Sequence, residues 1–81
     1  MVDKFDAMFE DKAVELMCKQ GIDAYMEFDN DYRMHVEIYA GSHLLYVGVF
    51  SDVTKLFRFL DRIIKHGTTA IIAQIISERS E

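Results

Sequence analysis

The residues with the most obvious chemical potential are one cysteine and three histidines, Cys18, His35, His43 and His66. None of them has a cysteine, histidine or carboxylate neighbour at the spacing that metal ligands show. A histidine that acts as a general base also needs a nucleophile beside it, and the sequence places none next to His35. The sequence therefore predicts no catalytic residue and no metal site, and we expect the protein not to be an enzyme.

The remaining ligand-binding patterns are also missing from the sequence. The four glycines are scattered along the chain, so they do not form a glycine-rich phosphate loop. The acid pairs Glu10/Asp11 and Asp29/Asp31 lack the further oxygen ligands that a calcium site needs. We therefore expect no cofactor, and a protein that acts by binding.

Acidic residues are concentrated in the first part of the chain. Residues 1–31 contain nine aspartates or glutamates against three lysines, whereas the rest of the chain is nearly balanced, and the net charge is −5. Such a surface repels nucleic-acid phosphates and favours basic partners. The alternative is that these acids only keep a small, apolar-rich protein in solution.

Length and composition predict one folded domain, residues 1–81. A hydrophobic fraction of 51% is typical of a folded protein rather than of a disordered tail. The lone Cys18 excludes an internal disulfide and is expected to be a small buried thiol. The chain has no apolar run near the roughly 20 residues of a membrane span, and its acidic N-terminus is unlike a signal peptide. We expect a cytoplasmic protein that is complete from Met1.

Three runs with the two-residue periodicity of β-strands occupy residues 22–28, 32–40 and 44–50. A loop with an odd number of residues, 29–31, and a two-residue turn at Gly41-Ser42 keep the apolar side chains of the three strands on one face. The resulting three-stranded antiparallel meander pairs Phe28 with Tyr32 and places Val36 between Ala24 and Val47. Glu27 is then opposite Arg33, a favourable cross-strand pair.

The other face of this sheet is predicted to be unusually apolar for a solvated surface. It comprises Asp23, Tyr25, Glu27, Arg33, His35, Glu37, Tyr39, Leu44, Tyr46 and Phe50. A cover is therefore expected, either the last segment of the same chain or a second copy in a symmetric homodimer.

Helical periodicity precedes and follows the strands. The first helix is expected to run from an N-cap at Asp3 to Gly21, and to bury a stripe that includes Met8 and Met17. The second starts after Ser51 or Asp52 and ends at Gly67, and its buried stripe comprises Val53, Leu56, Phe57, Leu60, Ile63 and Ile64. Residues 68–79 fit a helix better than a strand. The fold class is α+β, in the order α-β-β-β-α with a C-terminal helix.

The layout of residues 3–66 resembles the double-stranded RNA-binding domain. That family contacts RNA with a lysine cluster at the start of its second helix, where this chain has Asp52, Val53 and Thr54 before the single Lys55. An alternative function is therefore weak nucleic-acid binding through the outward side of the second helix. Its basic row is Lys55, Arg58, Arg62 and Lys65.

In size, element order and charge the chain also resembles small acidic phage-encoded inhibitors of the anti-CRISPR type. This resemblance implies a nucleic-acid mimic that inhibits a basic or nucleic-acid-handling protein in the cytoplasm of the host cell. The carboxylates that would imitate phosphates are those of Asp6, Glu10, Asp11, Asp23, Glu27, Asp29 and Asp31. The aromatic anchors would be Tyr25, Tyr39 and Tyr46. A self-associating regulatory or structural protein is the other alternative.

Overall fold

The computed structural model describes residues 4–80, which form three helices and three strands. In chain order these are α1 (Lys4–Gln20), β1 (Asp23–Phe28), β2 (Met34–Ala40), β3 (His43–Phe50), α2 (Val53–His66) and α3 (Thr68–Arg79). The α+β class is thus confirmed, and the last segment is a helix. The predicted N-cap at Asp3 lies outside the described residues.

The three strands form one antiparallel sheet in the order β1-β2-β3, and the helices lie on one of its faces. In this layer α1 packs against β1, α2 lies between α1 and α3, and α3 packs against β3. The core lies between the two layers. Its buried residues are Phe9, Leu16, Ile22, Met34, Val36, Ile38, Tyr46, Phe50, Leu56, Phe59, Leu60, Ile63, Ile64, Ala70 and Ile71.

The buried stripes of the helices differ in part from the predicted ones. In α2, Phe59 is fully buried whereas Val53 is 41% exposed, because the stripe runs through residues 56, 59, 60, 63 and 64. In α1 the buried residues are Phe9 and Leu16. Cys18 lies two residues beyond Leu16, about 200° around the helix, so it is exposed and the predicted buried thiol is wrong.

The first hairpin has a longer loop than predicted. Residues 29–33 connect β1 to β2, so Phe28 pairs with Met34 and Glu27 with His35. The predicted pairs of Phe28 with Tyr32 and of Glu27 with Arg33 are therefore wrong by two residues, although the odd loop length keeps the apolar residues on the core face. Tyr32 lies within this loop and adopts a left-handed backbone conformation with φ 61°, which few non-glycine residues take.

The second hairpin has the predicted two-residue turn, with Ala40 opposite His43. Gly41 supplies its left-handed conformation, φ 62°. A β-bulge follows, because Tyr39 pairs with Leu44 whereas Ile38 pairs with Tyr46. Leu45 is therefore an extra residue in β3, and it packs partly against the core.

The bulge reverses the predicted facing of the rest of β3. Tyr46 and Phe50 point into the core and are 3% and 8% exposed, whereas Val47 and Val49 point outward and are 58% and 51% exposed. The assignment of Tyr46 and Phe50 to the outer face is thus wrong, because one inserted residue exchanges the two faces. Val36 is central and fully buried as predicted, but its partners are Met26 and Gly48.

A contact between Tyr46, Gly48 and Glu78 holds α3 on the sheet. The ring of Tyr46 lies across Gly48, where an added Cβ would be 2.0 Å from the Tyr46 hydroxyl oxygen. This hydroxyl donates a hydrogen bond to Oε2 of Glu78 on α3 at 2.5 Å, and the ring packs on Phe59 at 4.9 Å between centroids. Burial and the Glu78 carboxylate raise the pKa of Tyr46 above its ordinary value.

Replacing Gly48 by alanine is expected to destabilise the protein, because the new methyl group occupies the space of the Tyr46 ring. Overpacking of this kind costs about 1–3 kcal/mol of unfolding free energy, measurable by urea denaturation. Tyr46→Phe alone removes the hydrogen bond to Glu78. Because both changes act on one contact, the double variant is expected to lose less stability than the sum of the two losses. An unchanged denaturation midpoint for Gly48→Ala would contradict this account.

Candidate protein-binding surface

The face of the sheet opposite the helices is an array of three rows across three strands, here called the open face. Its rows are Asp23-Tyr39-Leu44, Tyr25-Glu37-Val47 and Glu27-His35-Val49, in the order β1-β2-β3. The rows follow from strand pairing, because residues directly opposite each other point to the same side.

The β3 column of the open face is entirely apolar. Leu44, Val47 and Val49 are 52%, 58% and 51% exposed. Antiparallel sheets with one solvated face usually place polar side chains there, and a contiguous exposed apolar patch marks an interaction site. This column therefore makes the open face a candidate binding surface.

Two tyrosines extend the apolar area toward β1. The rings of Tyr25 and Tyr39 meet edge to face with their centroids 5.8 Å apart, and Tyr25 is 55% exposed. Paired rings of this kind are stiff and offer contact area at little entropic cost. The third predicted anchor, Tyr46, is not on this face, because it is buried beneath the sheet against Glu78.

The charges of the open face are carboxylates. Asp23 and Glu27 lie on β1, and Glu37 lies between Tyr25 and Val47 on the central strand. None of the three forms a hydrogen bond or ion pair through its side chain within residues 4–80. A shallow hollow of about 590 Å³ is lined by side chains of all three strands around Glu37, including His35 and Val47. A cationic side chain fits the charge of this hollow.

Asp29, a predicted contact residue, is instead a structural element of the first hairpin. Its carboxylate accepts hydrogen bonds from the backbone N–H of Asp31 at 2.8 Å and of Arg33 at 3.0 Å. It also accepts one from Nε of Arg33 at 2.9 Å and lies 2.8 Å from Nε2 of His35. The bond with His35, followed by that with the Arg33 backbone, holds the pKa of Asp29 well below its ordinary value.

The structure separates the other predicted acids into two groups. Asp6, Glu10 and Asp11 lie on α1, which packs against the opposite side of the sheet, so they do not share a flat surface with Asp23 and Glu27. Asp31, in the hairpin, lies 3.5 Å from Nη2 of Arg33. The open face thus retains two of the seven predicted acids and adds Glu37.

The basic row of the second helix lies on the helical side of the molecule. Lys55, Arg58 and Arg62 line a groove between α2 and α3, where Arg62 donates a hydrogen bond to Gln74 at 3.2 Å. Lys65 is exposed farther along α2. Carboxylates of Asp52 and Glu78 also border this groove, so its charge is mixed.

A second apolar depression, of about 440 Å³, lies between the start of α1 and α2. Phe5, Met8 and Phe57 line it, and Arg58 and Asp61 border it with one charge of each sign. It therefore lacks the uniform negative charge that accompanies the apolar area of the open face.

Five residues of the open face are not among the predicted contact residues. The sequence predicts His35, Glu37 and Leu44 for this face but not as contacts. It predicts Val47 for the core beside Val36, and Val49, two residues farther along the strand, for the same side. The available signal was the adjacent pair Leu44-Leu45, which breaks the strict alternation of β3 and so permits a bulge.

Within residues 4–80, no three histidine, cysteine, aspartate or glutamate side chains are grouped so that they could hold a metal ion. In the same part of the chain, no helix combines the length and apolar character needed to cross a bilayer. No protein-family model matches this chain, and neither the curated proteins nor the solved structures provide a match.

Asp29→Asn is expected to destabilise the first hairpin in a pH-dependent manner. Because the pKa of Asp29 is lower in the folded than in the unfolded chain, its ionised form stabilises the fold above the ordinary aspartate pKa of about 4. That contribution is lost as the pH falls from there toward the folded-state value. The difference in melting temperature between the protein and the variant should therefore be largest at pH 5 and should narrow steadily as the pH is lowered to 2.

Asp31→Asn is the matched control, since that carboxylate makes one longer contact with Arg33, at 3.5 Å. Its effect on melting should be smaller than that of Asp29→Asn. If the melting temperatures of the protein and of Asp29→Asn differ by the same amount from pH 5 to pH 2, the charge of Asp29 does not stabilise the hairpin.

Proposed function

We propose that this protein acts by binding a basic protein partner on the open face, as an inhibitor of a nucleic-acid-handling host protein. The observation that carries the proposal is one face of the sheet that, within residues 4–80, no helix covers and that combines an apolar column with three carboxylates lacking a side-chain partner. Its action is steric and electrostatic blockade, and no covalent bond is made or broken.

The chemistry of the open face defines the partner surface. Leu44, Val47 and Val49 favour apolar side chains, whose burial supplies affinity at about 25 cal/mol per Å². Carboxylates that lose water on binding without gaining a partner cost free energy, so those of Glu27 and Glu37 require lysine or arginine opposite them. Arginine suits this role best, because its planar group pairs with carboxylates and stacks on tyrosine.

The distribution of charge supports a partner that normally binds nucleic acid. Proteins that bind phosphate backbones present clustered lysines and arginines, and a protein of net charge −5 is steered toward such clusters. The acids on α1, including Glu10 and Asp11, strengthen the long-range attraction from the other side of the molecule. In this proposal Asp23, Glu27 and Glu37 occupy positions that phosphates would take on the partner.

A second candidate function has one structural observation in its favour. Lys55, Arg58 and Arg62 line the same groove between α2 and α3, so nucleic acid or an acidic partner would bind on the helical side. The two candidates use opposite sides of the molecule, and charge reversal on each side separates them.

The test uses a double charge reversal on the open face, Glu27→Lys with Glu37→Lys. Both residues are exposed, so the variant is expected to fold, as circular dichroism and thermal melting will show. The partner is first isolated by immobilising the protein and passing over it the host-cell proteins that bind phosphocellulose. Affinity is then measured by calorimetry with the purified partner, and the variant should bind at least about 100-fold more weakly.

The matched control is the triple reversal Lys55→Glu, Arg58→Glu and Arg62→Glu, which makes the protein more acidic and should not weaken its binding to the basic partner. Binding of the unaltered protein should also weaken steeply between about 0.05 and 0.5 M salt. A folded Glu27→Lys/Glu37→Lys variant with parental affinity would refute the proposal. Loss of binding only in the triple reversal would instead assign the function to the groove between α2 and α3.

A further inference from the structure

Within residues 4–80, β3 is an edge strand with few of the features that usually protect an edge from pairing. It is eight residues long, and residues 43–50 include no aspartate, glutamate, lysine, arginine or proline. The opposite edge, β1, carries Asp23 and Glu27. Exposed edges are normally protected by charges, proline or bulges. The bulge at Leu45 leaves residues 46–50 as a regular strand with one side unpaired.

The helix beside this edge also presents apolar residues to solvent. α3 packs against α2 and β3, and its Gln74 accepts the hydrogen bond from Arg62 of α2. Ile72 and Ile76 each lie about 200° around the helix from Gln74, so they point away from α2. They are 55% and 59% exposed. The uncharged strand edge and this apolar side of α3 therefore lie at the same end of the molecule, here called the β3 end.

We infer that the β3 end binds a second copy of this chain. The two β3 strands pair antiparallel about a twofold axis, and the two sheets become one sheet of six strands. Ile72 and Ile76 of each copy pack against α3 of the other. A twofold axis makes the contact isologous, so it closes at two copies and leaves neither β3 edge free.

The charge pattern selects this arrangement over contact between two open faces. Facing sheets would bring Asp23, Glu27 and Glu37 of both copies into one interface that has no lysine or arginine on either open face, at a large cost in desolvation and repulsion. Pairing through β3 places no carboxylate of the open face at the axis, and the acidic β1 strands lie at the two far edges. It is also independent of the proposed function, because both open faces stay accessible.

Both parts of the β3 end are needed for a stable dimer. A few strand-to-strand hydrogen bonds contribute little free energy to dimer formation on their own, since each replaces a hydrogen bond to water. Specific interfaces bury more than about 1,000 Å² in total, so the apolar side of α3 has to contribute. The inference therefore requires the two isoleucines and the strand edge to act together.

The first measurement is sedimentation velocity of the full chain from about 1 to 500 µM, where mass action shifts a dimer equilibrium. The expected result is a species of twice 9.4 kDa that dissociates on dilution. The double variant Ile72→Lys with Ile76→Lys should sediment as a monomer throughout. Both positions are exposed, so melting should show that the fold is retained. A monomer at every concentration for the unaltered chain would overturn the inference.

The matched control is Tyr25→Lys, an exposed change on β1 at the far edge, which should remain a dimer. If Tyr25→Lys dissociates the dimer and the α3 variant does not, the copies associate through their open faces and the inference is wrong. Hydrogen exchange provides the second readout. Backbone amides in residues 46–50 should exchange more slowly as the dimer forms, and a dimer that leaves their exchange unchanged would overturn the strand pairing.

Discussion

The one-residue bulge at Leu45 determines what each face of the sheet presents. Before the bulge β3 follows the register of the Gly41-Ser42 turn, and after it the side chains are exchanged between the two faces. Tyr46 therefore enters the core, and Val47 is left in solvent. An insertion that exposes valines is tolerated because it places two large aromatic residues, Tyr46 and Phe50, against Phe59 in the core.

The position of α3 depends on the same exchange. Only a tyrosine that faces the helices can lie over Gly48 and reach Glu78, so the bulge, the glycine and the last helix form one connected unit. Without this contact α3 would be held mainly by Ala70 and Ile71, the two buried residues of the helix. The bulge therefore creates the apolar column of the open face and also fixes the helix that flanks the β3 edge.

Periodicity in the sequence predicts the elements well and their register poorly. The isoleucine spacing identified α3 as a helix, and Gly41-Ser42 predicted the second turn, because both signals are local. The first loop is longer than expected because the Asp29 carboxylate accepts hydrogen bonds from the backbone N–H groups of Asp31 and Arg33 within the loop. In addition, Tyr32 adopts a backbone conformation that few non-glycine residues take. Both causes are tertiary or loop-specific, so alternation alone does not reveal them.

The candidate site was predictable on β1 and β2, where core-facing and outward residues alternate without a break. It was unpredictable on β3 beyond the bulge. Tyr25, Glu27 and Tyr39 lie on the open face as expected, because an odd loop of either length keeps β1 in phase with β2. Beyond the bulge, Val47 lies on the open face where the sequence predicts Tyr46. The open face therefore changes in character from one edge of the sheet to the other. Its β1 edge is acidic, and its β3 edge is apolar and uncharged. The proposed binding of a basic partner on the open face and the inferred pairing of two copies at the β3 end both depend on this gradient.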